Sequence, residues 1–403
     1  MSNKNKDIAI IGAGASGLFC AIECAKKGLD VTIYEQNEKI AKKILASGNG
    51  RCNISNKNLD ITSYHSQNSE FVLDALESFG YEEFQKFASK IGLVLETKED
   101  GRAYPLSNEA KSVVKIFHEY ALSLGVKFIT QEKIESIKPL LKKHSKVVVA
   151  TGSMAASHLG GNNSAELFAQ EIGHNFIPSY PSLVQLHLEA PFLKKLSGVK
   201  IDAEVTLLIN AQKEQTIRGD LLFTNYGVSG FAILDISHDA SEALLNYQAV
   251  DISLNLLPTY NAQKLANHIL KVAKEIPSFT FLDILSGVIP LKIAQTLLEV
   301  LDISFELKAQ KIETKVAKKV ANKVHNWRLE VTQTHGFRHA EVAGGGVDTL
   351  EIDRKTMCSY KEKDLYFIGE SLDVVGKRGG FNFAWAWASA FVCAQDIIKK
   401  SNK

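Results

Sequence analysis

DIAIIGAGASGLFCAIECAKKGLDVTIYE, residues 7–35, alternates as a β-α-β unit does: an apolar run, a glycine turn, an amphipathic stretch and a second strand from Asp30 to Tyr34. Within G-A-G-A-S-G, Gly12 permits the turn, Gly14 lets backbone approach a pyrophosphate, and Gly17 lets the helix pack on the strand. The start of the helix then presents its free amides to the phosphates. Glu35 closes the second strand at the offset from which an acid accepts hydrogen bonds from an adenosine ribose. This pattern alone does not separate FAD from NAD. A glycine-rich turn without a ligand is the plain alternative, and strand, turn, helix and acid falling in register argue against it.

The opposite end repeats the order. LYFIGESLDVVGKRGGFNFAWAWASAFVCAQDII, from Leu365 to Ile398, reads as strand, glycine turn and long apolar helix. A strand ending in Gly369-Glu370, with Asp373 three residues later, places a carboxylate where a ribityl hydroxyl donates to it. Gly379 and Gly380 precede Phe381 and Asn382, and Asn382 is expected to cap the helix. The helix amides would then face an electron-rich group; if that group is a flavin pyrimidine edge, the positive helix end favours the reduced, anionic ring. An ordinary capped helix leaves the recurrence of the motif unexplained.

Between these ends lies the polar loop ASGNGRCNISN, Ala46 to Asn56, expected to lack a helix of its own. Lys43 and Arg51 flank it, either neutralising the cofactor or simply solvated, while Asn49, Asn53 and Asn56 add polar capacity. Helical periodicity is predicted over Glu70 to Gly92 and over Asn108 to Leu124, the latter capped by Ser107. Strands are predicted near Leu93 to Glu96, Val126 to Ile129, Ile134 to Ile137 and Val147 to Ala150, the last running into the turn Ala150-Thr151-Gly152. From Pro178 the pattern turns to alternating strands, such as Leu183 to Leu188 and Ala203 to Ile209. Residues 262–323 read as helical and lysine-rich, and a strand returns at Trp327 to Thr332. The expected organisation is a discontinuous dinucleotide-binding domain of residues 1–180 and 334–403, a β-rich inner domain of 181–258 and 324–333, and a helical insertion of 259–323.

Composition sets bounds on function. The chain has 403 residues, 45% hydrophobic and 23% charged, ample for two or three domains. Its 47 basic and 45 acidic residues give a net charge of +2, so no global field recruits nucleic acid or an anionic membrane. Cys20, Cys24, Cys52, Cys358 and Cys393 show no C-x-x-C spacing, which fits a reducing cytoplasm. The apolar stretch from Ile8 to Ala25 is glycine-punctuated and carries Glu23, unlike a signal peptide, and no stretch is long and apolar enough to span a bilayer. His335 and His339 flank Gly336, which argues against a helical zinc pair, and no metal site is expected.

ASGNGRCNISN, GRAYPLS, VVVATG, LLFTNYGVSG, GESLDV and GGFNFAWAW occur in the order seen in BaiN-like (YhiN-like) flavoproteins, and the sequence resembles that family over nearly its whole length. The resemblance implies noncovalently bound FAD, a Rossmann-type α/β domain built from both ends, an inserted β-barrel-like domain and a helical subdomain. Carried onto matching positions, it implies cofactor contacts from Gly12, Gly14, Ala15, Ser16, Gly17, Glu35, Gln36, Lys43, Gly50, Arg51, Cys52, Asn53 and Ile134. The same holds for Ala150, Thr151, Gly152, Gly369, Glu370, Asp373, Gly380, Phe381 and Asn382. The sequence departs from the family pattern at Asn49, Ser153, Phe231, His335 and Lys377-Arg378, none of which is a cofactor position.

Hydride transfer to or from a flavin needs little from the protein beyond placement. Arg102 and Tyr104, in what reads as a G-R-A-Y-P turn, are the candidates for orienting a polar substrate and exchanging a proton; a loop packed on the cofactor domain is the alternative. No second strand with G-x-G-x-x-G follows the first, so NAD(P)H as co-substrate would bind without its own Rossmann unit. The expected activity is FAD-dependent hydride transfer with a small or medium organic molecule, by amine oxidation or by reduction of an enone-type double bond. Two rivals stand: a flavoprotein of tRNA modification, suggested by the lysine-rich insertion, and an NAD-dependent dehydrogenase without flavin.

Overall fold

The computed structural model describes residues 7–402. These form two compact units, one of residues 7–181 and 340–402, the other Ser182–His339.

In the first unit five parallel strands make the central sheet. Their spatial order is Leu365–Phe367, Lys146–Val149, Asp7–Ile11, Asp30–Glu35 and Lys127–Thr130. Parallel strands covered on both faces read as unbroken apolar runs, and Ile8 to Ile11 and Val147 to Val149 are buried accordingly. Ala15–Ala25 and the long Phe381–Ser401 helix belong to the same core, where Phe19, Phe84 and Phe117 surround Trp387. A strand from each end of the chain thus sits in one sheet, the Rossmann arrangement.

Local sequence explains where elements stop. The 70–92 periodicity is broken: helices Leu73–Ser78 and Tyr81–Lys90 are separated at Phe79 and Gly80, where Gly80 is extended and serves as the second N-cap. Ser107 caps nothing, because Asn108 adopts a left-handed φ of 52° and the helix begins at Ala110. Ile134–Ile137 forms no strand; it is irregular and leads into Lys138–Lys143, whose Pro139 suits a first helical turn. The ASGNGRCNISN loop is tighter than its composition suggests, with a tight turn over Ser47–Gly50 in which Gly48 and Asn49 are left-handed.

Six strands close a barrel in the second unit, in the order Leu186–Leu188, Gly227–Ser229, Gln212–Phe223, Lys200–Ile209, Val250–Asn255, Trp327–Thr334. The strand near residue 183 is shorter than expected, since Leu183 sits at a left-handed φ of 51°. The barrel interior is apolar, with Val205, Leu207, Ile252, Leu254, Leu329 and Val331 buried at alternate positions. Helices Ala262–Glu275, Phe281–Ser286, Leu291–Val300 and Thr314–His325 contribute to the same apolar cluster, so the lysine-rich stretch buries Ala317, Val320, Ala321 and Val324 and turns its lysines outward. Among the described residues no helix is long and apolar enough to cross a membrane.

Candidate functional site

The first strand ends in a turn that requires its glycines unequally. A Cβ at Gly12, whose φ is +104°, would lie 2.4 Å from the Ala150 carbonyl oxygen, and one at Gly17 would lie 2.0 Å from the Gly12 carbonyl oxygen. Gly14 has no atom within 4 Å of where its Cβ would stand, so the protein leaves open the space in front of it. Gly14 is the N-cap of Ala15–Ala25, and Leu18 is the first residue to donate back to it, at 3.0 Å. The amides of Ala15, Ser16 and Gly17 therefore have no acceptor within the helix. Glu35, 8% exposed, accepts from the Ala13 amide at 2.9 Å and from Asn37 at 2.7–2.8 Å, which fixes its carboxylate beside the turn. Gln36 donates to the Gly160 carbonyl at 2.8 Å. Ile134 is half-buried in the irregular segment whose Glu132 amide reaches the Glu35 carbonyl at 2.9 Å.

Strand Lys146–Val149 delivers Ala150, Thr151 and Gly152 to the same place, with Gly152 at φ +72°. Beside it, Gly369 at φ +63° stands so close to Ser16 that a Cβ would lie 2.7 Å from the Ser16 hydroxyl oxygen. Gly369 is held by Ser389 and Trp385 of the C-terminal helix, at 3.0 and 3.1 Å. Glu370 binds the Lys43 ammonium through Oε2 at 2.7 Å, so Lys43 is paired with a carboxylate rather than open to solvent. Glu370 Oε1 and Thr151 Oγ1 are buried with no hydrogen-bond partner among the described residues. An open cleft of about 250 Å³ is lined by Gly152, Ser153, Gly345, Gly346, Glu370 and Ser371. The run Gly344-Gly345-Gly346 was not singled out from sequence, although three adjacent glycines are a signal. Gly345 and Gly346 have φ of +76° and +141°, and a Cβ at Gly344 would strike the Tyr180 ring at 2.3 Å.

The polar loop and the C-terminal helix start are stitched together. Trp387 donates to the Ile54 carbonyl at 2.9 Å, Asn56 to that of Gly379 at 2.8 Å, and Tyr64 to that of Phe381 at 3.1 Å. Gly380, φ +99°, approaches Ser55 so closely that a Cβ would lie 2.3 Å from its carbonyl oxygen. Asn53 Oδ1 beside it is buried and unpartnered. Gly50 is left-handed, and Cys52 is too, at φ 61°. Burial pushes the Cys52 thiol up to about 11, against a hydrogen bond with Ser47 that pulls it down, so it is no thiolate nucleophile. Asn382 does not cap the helix: Gly380 is the N-cap, and the Asn382 amide pairs with the backbone N–H and carbonyl of Gly376, both at 2.8 Å. Its position inside the first turn explains this, since a capping side chain must come from the residue before the helix. Asp373, 5% exposed, accepts from the Gln67 amide at 2.9 Å.

G-R-A-Y-P is a strand, not a turn. Arg102–Pro105 is the middle strand between Ser55–Asn56 and Leu95–Thr97, and Pro105 fits at its end because it offers no N–H. Arg102 donates from Nη2 and Nε to one oxygen of Asp100, Oδ2, at 2.6 and 2.7 Å, which holds the Asp100 carboxyl below the usual range. The Arg51 guanidinium lies 5.8 Å from the buried Tyr104 ring, and a Cβ at Gly379 would be 3.7 Å from Arg102 Cγ. Arg102 therefore reaches the glycine turn that opens the C-terminal helix, and Tyr104, two residues on in the same strand, carries Arg51 over its ring.

Two helix starts from opposite ends of the chain, a glycine-lined cleft and buried polar atoms without protein partners define a Rossmann-type flavoenzyme. The unpartnered oxygens of Thr151, Glu370 and Asn53 suit the polar groups of FAD. Residues 6–396 match the model of the HI0933-like protein Rossmann domain, and the chain belongs to that family. It is similar to the 3-dehydro-bile acid delta(4,6)-reductase of Clostridium scindens, with 32% identity across 98% of this chain and 99% of the relative. It is likewise similar to the ribosomal RNA dihydrouridine synthase of Haemophilus influenzae, 33% identical across 99% and 100%. The protein of that name from Escherichia coli is 31% identical across 97% and 98%. The chain is an FAD-dependent oxidoreductase.

Proposed function

We propose that the chain uses noncovalent FAD to reduce a carbon–carbon double bond conjugated with a carbonyl. One observation carries the reading: the helix starts after Gly14 and Gly380 and the unpartnered Thr151, Glu370 and Asn53 oxygens belong to a single unit, whose cleft Glu370 lines, with Arg102 beside the turn that opens the C-terminal helix. The relatives' names support the type of bond. One is named for reducing delta(4,6) bonds of a 3-dehydro compound, and dihydrouridine is uridine saturated at the ring double bond next to a carbonyl. Reduction of the double bond next to the carbonyl adds a hydride to the β carbon and a proton to the α carbon, while NAD(P)H becomes NAD(P)⁺.

FAD, when bound, supplies the two-electron chemistry. In this reading Ala15, Ser16 and Gly17 hold the diphosphate over Gly14, and Glu35, Gln36 and Ile134 hold the adenosine. Ala150 to Gly152, Gly369, Glu370 and Asp373 take the middle of the molecule, with Lys43 balancing charge through Glu370. Gly50 to Asn53 and Gly380 to Asn382 enclose the ring, where the first amides of Phe381–Ser401 lack acceptors within the helix. Arg102 orients the substrate carbonyl and Tyr104 exchanges the proton. Because two of the three relatives are named for ribosomal RNA, a substrate carried in RNA is the second form of the reading.

The test is anaerobic. NAD(P)H should bleach the yellow holoprotein, and a conjugated enone or a uridine-containing RNA should restore the colour with a product two mass units heavier. Bleaching by an amine, with peroxide released once air is admitted and no double-bond reduction, would replace this reading with amine oxidation, and a colourless protein that takes up no FAD would end it.

A further inference from the structure

The unit Ser182–His339 carries a row of rings that the reading above does not use: His187, Tyr226, His335 and His339. Tyr226 lies nearly parallel to His335, centroids 4.2 Å apart and planes 5° off. His339 packs on His335 at 4.1 Å, and His187 flanks the stack, 4.6 Å from Tyr226 and 5.0 Å from His335. A turn at Gly336, φ +79°, closed by the His339 amide on the Gly336 carbonyl at 3.1 Å, brings the last two rings together. None of the four belongs to the unit's apolar core. His187, Tyr226 and His335 are half-buried, while Arg338 and His339 are exposed.

Hydrogen bonds fix the rings as neutral tautomers. The Gln333 amide donates to His187 Nδ1 at 3.3 Å, so His187 carries its proton on Nε2 and donates to His335 Nδ1 at 2.7 Å. Each ring accepts at Nδ1, and a second proton would destroy that bond. Burial lowers the pKa of both, and the neighbouring His339 and His187 lower that of His335 further. The direct His187–His335 bond also occupies the two nitrogens that would otherwise hold a metal.

We propose that this row is a stacking site for an unpaired nucleobase of single-stranded RNA, with His339 receiving the face of the base and Arg338 the adjoining phosphate. Planar rings beside a cation form the combination that holds single strands without reading sequence, and a row ending on an exposed loop can be continued by successive bases. The inference rests on the reading that the reduced double bond is carried in RNA.

The probe is an oligouridylate bearing one 2-aminopurine, added to the full-length, FAD-loaded protein. Stacking on the row quenches the 2-aminopurine. His339→Ala should weaken binding about fivefold or more and remove the quenching, whereas His339→Tyr keeps both. Arg338→Ala should leave quenching intact while reducing the slope of log K against log salt by about 0.7. Flavin content and melting temperature, measured for every variant, separate these effects from misfolding. The proposal is overturned if the oligonucleotide does not bind, or binds His339→Ala like wild type. Enone reduction without oligonucleotide binding refutes the stacking site and leaves the reductase standing; oligonucleotide binding without any double-bond reduction does the reverse.

Discussion

Gly14→Ala separates the fold from the ligand. Gly14 has an ordinary φ of −80°, and its Cβ would meet no protein atom within 4 Å. Alanine is a poorer N-cap than glycine by roughly 0.5–1 kcal/mol, but it restricts the unfolded chain by about 0.4–1 kcal/mol, so the two effects nearly cancel. The apoprotein should therefore keep its stability to within about 0.5 kcal/mol. The added methyl nevertheless occupies the space before the amides of Ala15 to Gly17. Loss of one hydrogen bond to a charged group costs about 1.5–3 kcal/mol, or roughly 10- to 150-fold in FAD affinity. Titration by quenching of flavin fluorescence, beside urea unfolding of the apoprotein, reads both quantities. Unchanged FAD affinity would refute the placement of the diphosphate at this turn. A large loss of apoprotein stability would refute the claim of open space, and Gly12→Ala, which would strike the Ala150 carbonyl, provides the destabilised comparison.

Three further outcomes test the other parts of the site. Asn382→Ala strips two hydrogen bonds from the buried Gly376 backbone and should cost about 2 kcal/mol in urea unfolding, with weaker FAD binding as the preceding turn loosens; a neutral result would show that the pairing is dispensable. Burial raises the Cys52 thiol to about 11, above its ordinary value, so its contribution is present below pH 9 and is lost as pH rises toward 11, by about 3 kcal/mol at most. Cys52→Ala should flatten that part of the alkaline stability profile. Arg102→Ala and Tyr104→Phe should retain wild-type FAD stoichiometry yet lower kcat/KM at least tenfold for double-bond reduction, and unchanged turnover would return both to a structural role.

What the sequence made legible is what local chemistry dictates. Gly12, Gly17 and Glu35 announce themselves because a tight turn, a helix pressed on that turn and an acid ending the second strand must recur at fixed spacing. The C-terminal helix was visible for the same reason. Asn382 was misread because a residue just inside a helix and one just before it look alike in sequence, and only the chain path shows its amide turning back to Gly376. G-R-A-Y-P looked like a turn because its partners, Ser55–Asn56 and Leu95–Thr97, come from other segments. Ile134–Ile137 looked like a strand because short β-branched runs fit either state when no partner strand is known.

The ring row was hidden for a deeper version of that reason. His187 is the middle residue of one barrel strand, Tyr226 and His335 flank two others, and barrel closure, not any spacing along the chain, sets their order. Their meeting follows from register: His187 opposes Gly227, next to Tyr226, on one side and Gln333, two residues before His335, on the other, so the rings converge around His187. A one-residue slip in either pairing would send His187 to the other face and leave His335 Nδ1 without its donor. The hydrogen bond from His187 to His335 therefore records the register in which Leu186–Leu188 and Trp327–Thr334 pair, and the row is built from residues that no spacing along the chain joins.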